Sequence, residues 1–155
     1  PFAANPSEEE IPDYILNPEM EMPTQEIDGQ DCIGTLGIET LGLSLPVLSD
    51  WSYPKLRISP CRYSGSVYQH NMVIAGHNYS SHFGSLKNLV QGDAVTFTDM
   101  DGNVFCYRVA EIETLPPYAT QEMTSGEWDL TLFTCTVGGQ SRIAVRCESI
   151  DNSTP

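Results

Sequence analysis

Two short segments near the C-terminus place a thiol and a guanidinium where they could react together. The pentapeptide Thr131-Leu132-Phe133-Thr134-Cys135 puts a cysteine at the end of an apolar run, and Arg142 begins a second such run. Both runs predict buried strands, which a turn containing Gly138-Gly139 would join. A thiol beside a fixed positive charge has a lowered pKa and becomes a nucleophile. We therefore predict that Cys135 is a nucleophile and that Arg142 lies beside it.

A histidine upstream supplies the base that such a nucleophile needs. His77 ends the segment Val73-Ile74-Ala75-Gly76-His77, so it stands at the end of another apolar run. A histidine at a strand end beside glycine is placed for exposure, although a purely structural histidine is the alternative interpretation. His70 and His82 lack a matching context, and we expect both at the surface, with His82 the more probable neighbour of the site.

Two of these assignments have competitors. Arg146 lies four residues after Arg142, so both side chains would face the same side of a strand. The first arginine, at the head of the strand, is our candidate. Thr134 is a candidate substrate-binding residue through its hydroxyl or backbone, and simple strand propensity is the alternative explanation for it.

The order and surroundings of these residues resemble the sortases, the Gram-positive cysteine transpeptidases that attach proteins to the cell wall. Ala75-Gly76-His77, then Thr131 to Cys135, then Arg142 follow the order of the family. Phe83-Gly84-Ser85-Leu86 also resembles the segment that follows the family's histidine. The resemblance extends from Gly34 to Cys147.

The resemblance implies a reaction and a role for each residue. Cys135 would attack the carbonyl between Thr and Gly of a Leu-Pro-x-Thr-Gly-like sorting signal and form a thioester. His77 would protonate the leaving nitrogen and later deprotonate the incoming amine, and Arg142 would hold the substrate and stabilise the oxyanion. The acceptor would be a peptidoglycan precursor or a pilin lysine, and no cofactor is expected.

The resemblance also bears on the subclass, the location and the alternative functions of the chain. The segment 116–129 is too short for the insertion typical of class B, so we expect a class C- or D-like member. The domain would act at the extracellular face of the membrane, through an anchor outside this chain. A cysteine hydrolase that uses water, and a non-catalytic cell-surface binding module, remain alternatives.

The elements that must position these residues are strands. Many short apolar runs separated by Gly and Pro indicate an all-β closed barrel, and the sortase fold implies eight strands. One or two short helices are expected, within 51–62 and over Phe83 to Leu89. Because side chains fill a barrel this small, the site should lie at a rim where strands end.

The N-terminal part differs in charge from the rest of the chain. The net charge is −14, and the first basic residue is Lys55. Nucleic acid is therefore an improbable partner. Residues 1–31 are acidic and rich in proline, so we predict an irregular arm before a catalytic domain at 32–150. The arm would be a tether, or a lid in which Asp13 pairs with Arg142 and Tyr14 covers the cleft.

The cysteine count leaves at least one thiol unpaired. The chain has 5 cysteines, which is an odd number. If Cys135 is the nucleophile, the other four are either free thiols or include a disulfide, and spacing does not decide between these alternatives. The four are Cys32, Cys61, Cys106 and Cys147.

Overall fold

Short β-branched and aromatic runs form the strands of this protein, and Gly and Pro separate them. The computed structural model describes residues 11–117, 120–124, 127–135 and 141–150. The strands in these ranges are β1 Gln25–Ile27, β2 Gln30–Ile38, β3 Leu43–Leu48, β4 Cys61–Ser64, β5 Met72–Ala75, β6 Ala94–Asp99, β7 Val104–Leu115, β8 Leu130–Cys135 and β9 Arg142–Ser149.

Eight of the strands found in the described ranges close into a barrel, which confirms the expected fold. The strand order is β1-β2-β3-β4-β5-β8-β9-β7-β6, and pairing of β6 with β2 closes the ring. Closure brings Gly34 of β2 opposite Asp99 of β6. A Cβ at Gly34 would collide with the Thr98 carbonyl and the Phe97 ring, so glycine is required for this approach.

β1 lies outside the ring and belongs to a hairpin that the sequence analysis did not predict. It pairs with the start of β2, from Gln25↔Cys32 to Ile27↔Gln30. The two turn residues between the strands, Asp28 and Gly29, have φ values of 52° and 82°. Asp-Gly in this conformation is typical of a two-residue hairpin turn. The sheet thus begins within the predicted arm.

The helices are short and lie in the connections between strands. The α-helices of the described residues are α1 Asp13–Leu16, α2 Tyr53–Leu56 and α3 Thr120–Thr124, and short 3-10 helices span Glu39–Leu41, Val67–Gln69 and Leu86–Asn88. None of the helices in these ranges combines the length and the apolar character needed to cross a membrane. The sequence predicted one or two helices, so the structure has one more.

The helix predicted over Phe83 to Leu89 is wrong except for the 3-10 turn Leu86–Asn88. Phe83 is fully buried, and its backbone amide donates to the His77 carbonyl at 3.0 Å. The chain before Leu86 is therefore held in tight turns around the Phe83 ring. The helical spacing of apolar residues arose from this burial and not from an α-helix.

The barrel interior is a single apolar core. Along β6, the buried residues Val95, Phe97 and Asp99 alternate with residues that are more exposed. The largest fully buried side chains include Tyr107, Phe83, Phe97, Ile33, Leu36, Ile38, Met72, Ile74, Leu130 and Leu132. These side chains fill the interior, so a substrate can be bound only at the surface or at a rim.

The described part of the arm packs against the barrel far from the head of β9. Tyr14 stacks on Tyr68 with ring centroids 4.9 Å apart, and its ring is 5.1 Å from that of Phe105. Phe105 and Leu115 lie at opposite ends of β7, and Leu115 pairs with Arg142. Ten residues of strand span roughly 30 Å. Tyr14 therefore does not cover the region of Arg142, contrary to the lid hypothesis.

Candidate active site

Three neighbouring strands end or begin at one rim of the barrel, and each carries a candidate residue. β5 and β8 are parallel and pair Ala75 with Phe133, and the Gly76 amide donates to the Phe133 carbonyl at 3.0 Å. His77 and Cys135 each follow this pair by two residues. β8 and β9 are antiparallel and pair Cys135 with Arg142. The strand register thus places all three candidates at the same rim.

Cys135 is described as the last residue of β8. Its side chain, and the predicted Gly138-Gly139 turn, lie outside the described residues. Cys135 and Arg142 are direct partners on adjacent antiparallel strands, where paired Cα atoms are about 5 Å apart. The backbone alone therefore brings the two residues together.

The other four cysteines are free and three of them are poorly suited to nucleophilic chemistry. Burial raises the pKa of the Cys61 thiol to about 11 and that of the Cys147 thiol to about 12. Burial, followed by the negative charges of nearby aspartates, also raises the pKa of Cys32. These three thiols remain protonated at neutral pH, and a protonated thiol is a poor nucleophile.

A groove of about 290 Å³ opens at this rim. Its lining residues are Trp51, Tyr53, Leu56, Tyr63, Ala75, Gly76, Pro117, Met123, Phe133, Thr134 and Arg142. The lining is mainly apolar, with Arg142 as its charged member. Pro117 and Met123 come from the connection between β7 and β8, which thus contributes to the wall of the groove.

One wall of the groove is a chain of touching aromatic rings. Trp51 meets Tyr53 edge-on at 5.4 Å and Tyr63 at 5.5 Å, and Tyr63 meets Phe133 edge-on at 5.3 Å. These contacts connect the segment before β4 to the strand that carries Cys135. The sequence analysis missed this wall, although Trp51 and Tyr53 two residues apart before a proline were a visible signal.

Thr134, the candidate substrate-binding residue, lies on the groove. The residue is 4% exposed and lines the groove. Its Oγ1 is buried and has no hydrogen-bond partner in the part of the chain that the structure describes. A buried hydroxyl without a partner carries a free-energy cost, which a bound substrate could offset by hydrogen bonding to it.

Arg146 is engaged in structural contacts. Its side chain is 3% exposed and its Nε donates to Glu113 Oε2 at 2.7 Å. Nη1 donates to the Met123 carbonyl at 2.8 Å, and Nη2 donates to the Glu122 carbonyl at 2.6 Å. These carbonyls belong to the last turn of α3, where backbone acceptors lack helical partners. Arg146 therefore holds α3 onto the barrel, whereas Arg142 lines the groove.

His77 is half-buried beyond the end of β5, and an aromatic ring covers one face of it. The imidazole stacks on the Tyr79 ring with centroids 3.8 Å apart and an interplanar angle of 20°. His77 Nδ1 is buried without a hydrogen-bond partner among the described residues. The sequence analysis did not include Tyr79 among the candidate residues. Its spacing of two residues from His77 is the only signal that could have suggested it.

The two remaining histidines behave differently from each other. His70 is exposed, as expected, and its Nδ1 is 4.0 Å from Asp129 Oδ1. His82 is half-buried and its ring centroid is 5.4 Å from that of Tyr79, so its expected place at the surface is wrong. Its backbone donates to the Tyr79 carbonyl, which draws the side chain into the loop around Phe83. Burial, and then the charge of His77, lower the pKa of His82.

No metal centre is evident beside these residues. Within residues 11–117, 120–124, 127–135 and 141–150, no three His, Cys, Asp or Glu side chains are grouped to hold a metal ion. The residues that the strand register brings to this rim carry a thiol, an imidazole and a guanidinium. Acyl transfer needs a nucleophile, a proton-transfer group and a stabiliser of the oxyanion, and these groups can serve those three roles.

Comparisons with known proteins agree with this chemistry. The family model for the sortase domain matches residues 36–150. Sortase C1 from Streptococcus agalactiae is 26% identical with a TM-score of 0.70, and the match covers 82% of this chain and 72% of that one. The search of curated proteins found no match.

Two further solved structures share the fold. A lid mutant of sortase A from Corynebacterium diphtheriae is 22% identical with a TM-score of 0.68, covering 79% of this chain and 72% of that one. Sortase C from Streptococcus pneumoniae is 23% identical with a TM-score of 0.68, covering 84% and 71%. Sortases C among the neighbours fit the expected class C-like character.

Proposed function

The chain belongs to the sortase family of cysteine transpeptidases, and from that premise we propose a substrate and a role for each residue at the rim. The donor is a Leu-Pro-x-Thr-Gly-like sorting signal, cleaved between Thr and Gly. The acyl group passes through a thioester on Cys135 to an amine. The acceptor is a peptidoglycan precursor or a pilin lysine at the extracellular face of the membrane.

The proposed reaction has two steps that share one histidine. In the first, Cys135 Sγ bonds to the threonine carbonyl carbon, the carbon–nitrogen bond to glycine breaks, and His77 gives its proton to the leaving nitrogen. In the second, the incoming amine bonds to the same carbon, gives a proton to His77, and the carbon–sulfur bond breaks. The thiolate and the imidazolium are thereby regenerated.

Arg142 stabilises the charge that develops on the carbonyl oxygen. A guanidinium is permanently charged and offers a fork of N–H donors, which suits an oxyanion and a peptide backbone at once. Arg142 lines the groove and is the direct strand partner of Cys135. Thr134 is proposed to hydrogen-bond the substrate through its buried Oγ1, which has no partner among the described side chains and backbone groups.

The observation that carries the proposal is the groove that ends at Arg142. Its walls are apolar and aromatic, and such a surface suits the Leu-Pro part of a sorting signal. Thr134 of β8 and Arg142 of β9 add polar groups to this lining. A peptide with its apolar residues along the wall would bring its Thr-Gly bond to Cys135.

A peptide panel tests the proposal directly. Peptides of the Leu-Pro-x-Thr-Gly type, and controls with Leu or Pro replaced by Ala, are incubated with the protein and several amines, and products are identified by mass spectrometry. We expect cleavage between Thr and Gly, ligation to an amine, and trapping of an acyl adduct on Cys135. Cys135→Ala is the matched control and should give neither product.

Two outcomes would contradict it. Cleavage that yields only the free acid with every amine would make the protein a hydrolase with water as acceptor. An intact peptide and no adduct on Cys135, even with a vinyl probe of the same sequence, would favour a non-catalytic binding module.

A further inference from the structure

Three aromatic rings follow one another in the loop after β5. His77 stacks on Tyr79 at 3.8 Å, and Tyr79 lies at a tilt of 59° to His82, with centroids 5.4 Å apart. Tyr79 is the middle ring and remains 40% exposed. The order places His82 behind Tyr79 and Tyr79 against His77.

The loop that carries the rings is tightly held. The His82 amide donates to the Tyr79 carbonyl at 3.0 Å, and the Gly84 amide donates to the same carbonyl at 2.8 Å. A Cβ at Gly84 would lie 2.6 Å from the Asn78 carbonyl oxygen, which is too close for any other residue. The buried Phe83 ring fixes the base of the loop. Tyr79 is therefore presented to His77 by a backbone with little freedom.

The imidazole of His77 lacks the usual means of orientation. A catalytic histidine is commonly oriented by a hydrogen bond from one ring nitrogen, which leaves the other to transfer the proton. His77 Nδ1 is buried and has no such partner among the described groups. Proton transfer then falls to Nε2, and among the described residues the ring that stacks on the imidazole is that of Tyr79.

We propose that Tyr79, supported by His82, is the positioning residue that holds the His77 imidazole in its catalytic orientation by ring stacking. His82 can stay neutral beside it because burial lowers its pKa. This inference rests on the proposed role of His77 as acid and base.

Two leaving groups distinguish a misplaced general acid from a site whose structure is disturbed as a whole. An amine cannot leave unless it is protonated, whereas a thiolate leaves without a proton. Peptides of one sequence, with either an amide or a thioester at the scissile bond, are compared in single-turnover release of the leaving group. The variants are Tyr79→Leu, which removes the stack, and Tyr79→Phe, which keeps it.

We expect Tyr79→Leu to slow release from the amide at least tenfold at saturating peptide, as for a misplaced general acid. Release from the thioester should change less than about threefold, and Tyr79→Phe should resemble the wild type with both substrates. The NMR signals of the His77 ring should lose their ring-current shift in Tyr79→Leu and keep it in Tyr79→Phe. His82→Leu should reproduce the pattern more weakly.

Equal losses with both substrates in Tyr79→Leu would show a general structural role and overturn the inference. An unchanged amide rate, or an unchanged His77 spectrum, would overturn it as well. His77→Ala distinguishes a failure of the proposed role of His77 from a failure of the inference about Tyr79. If His77→Ala leaves amide cleavage intact, the proposed role of His77 fails; if it abolishes cleavage while Tyr79→Leu does not, only the inference about Tyr79 fails.

Discussion

At the scale of single residues, the two arginines of β9 show how position decides the role of a charged group. Arg142 and Arg146 face the same side of one strand, yet Arg146 is saturated by Glu113 and by the backbone of α3. Arg142, at the strand head, lines the groove. The N–H donors of Arg146 already bond to groups of the protein, so they cannot also donate to a substrate.

Replacement of Arg142 by lysine should lower kcat/KM by about 10² or more, the loss that follows removal of one oxyanion donor. Arg146→Lys is the matched control, and its main effect should be on the thermal midpoint. If Arg146→Lys lost more activity than Arg142→Lys in a fully folded protein, the assignment of the oxyanion donor would be wrong.

Thiol reactivity gives a second prediction at this scale. At neutral pH, iodoacetamide should add once and rapidly, at Cys135, as seen by intact mass and peptide mapping. The raised pKa values of Cys32, Cys61 and Cys147 keep those thiols protonated and slow. Cys135→Ala should show no rapid adduct, and rapid labelling of a buried cysteine instead would contradict the assignment of the nucleophile.

At the scale of elements, α3 depends on a contact with β9. The helix has five residues, too few to be stable alone, and Arg146 satisfies the carbonyls of Glu122 and Met123 at its end. Met123 in turn lines the groove. The wall of the groove is therefore fixed by the hydrogen bonds of buried Arg146 and by its ion pair with the half-buried Glu113.

Arg146→Leu should cost about 3 kcal/mol of stability, because it leaves Glu113 and the helix carbonyls without a partner. Chemical denaturation measures this loss. The displaced wall should raise KM for a peptide substrate more than it lowers kcat. A variant as stable as the wild type would show that the contacts of Arg146 contribute little.

The aromatic wall should contribute to substrate binding. Trp51→Ala removes the ring that joins Tyr53 to Tyr63, so KM for a Leu-Pro-x-Thr-Gly-like peptide should rise about tenfold, as expected for loss of an aromatic anchor. Ile58→Ala is a control at another exposed apolar side chain, which does not line the groove. Equal effects of the two substitutions would remove the wall from the binding site.

At the scale of the whole molecule, Tyr14 of the arm braces the barrel beside Phe105, at the end of β7 away from Leu115 and its strand partner Arg142. Tyr14 stacks on Tyr68, whose hydroxyl donates to the buried carboxylate of Asp99 at 2.6 Å. We propose that the arm is a tether that ends in this brace, and that Tyr14 contributes to stability and not to gating. The acidity of the first part of the chain is then a property of a solvated linker.

Tyr14→Ala should lower the free energy of unfolding by about 2 kcal/mol through loss of aromatic packing. Transpeptidation should stay within about twofold of the wild type, since the groove lies at the other end of β7. Tyr14→Phe is the control and should keep the stability. A large rise in activity of Tyr14→Ala would restore the lid hypothesis.

The sequence by itself determined the family, the barrel and the candidate residues. Strand periodicity and turn residues are local signals, so β8 at Leu130–Cys135 and β9 at Arg142–Ser149 appear where they were predicted. The motif around Cys135 is local as well, because strand, nucleophile and the following arginine are close in the chain. The proposed nucleophile and its strand are thus encoded within a few residues.

Only the tertiary structure decided which side chains share an environment. The different roles of Arg142 and Arg146 depend on α3 and β7, which lie elsewhere in the sequence and contact Arg146 of β9. Tyr14 likewise packs on Tyr68 and Phe105, which are remote from it in the sequence. The aromatic wall also joins separate segments, through the contact of Trp51 with Tyr63. Contacts between remote segments depend on how the whole barrel closes, and no local pattern in the sequence records that closure.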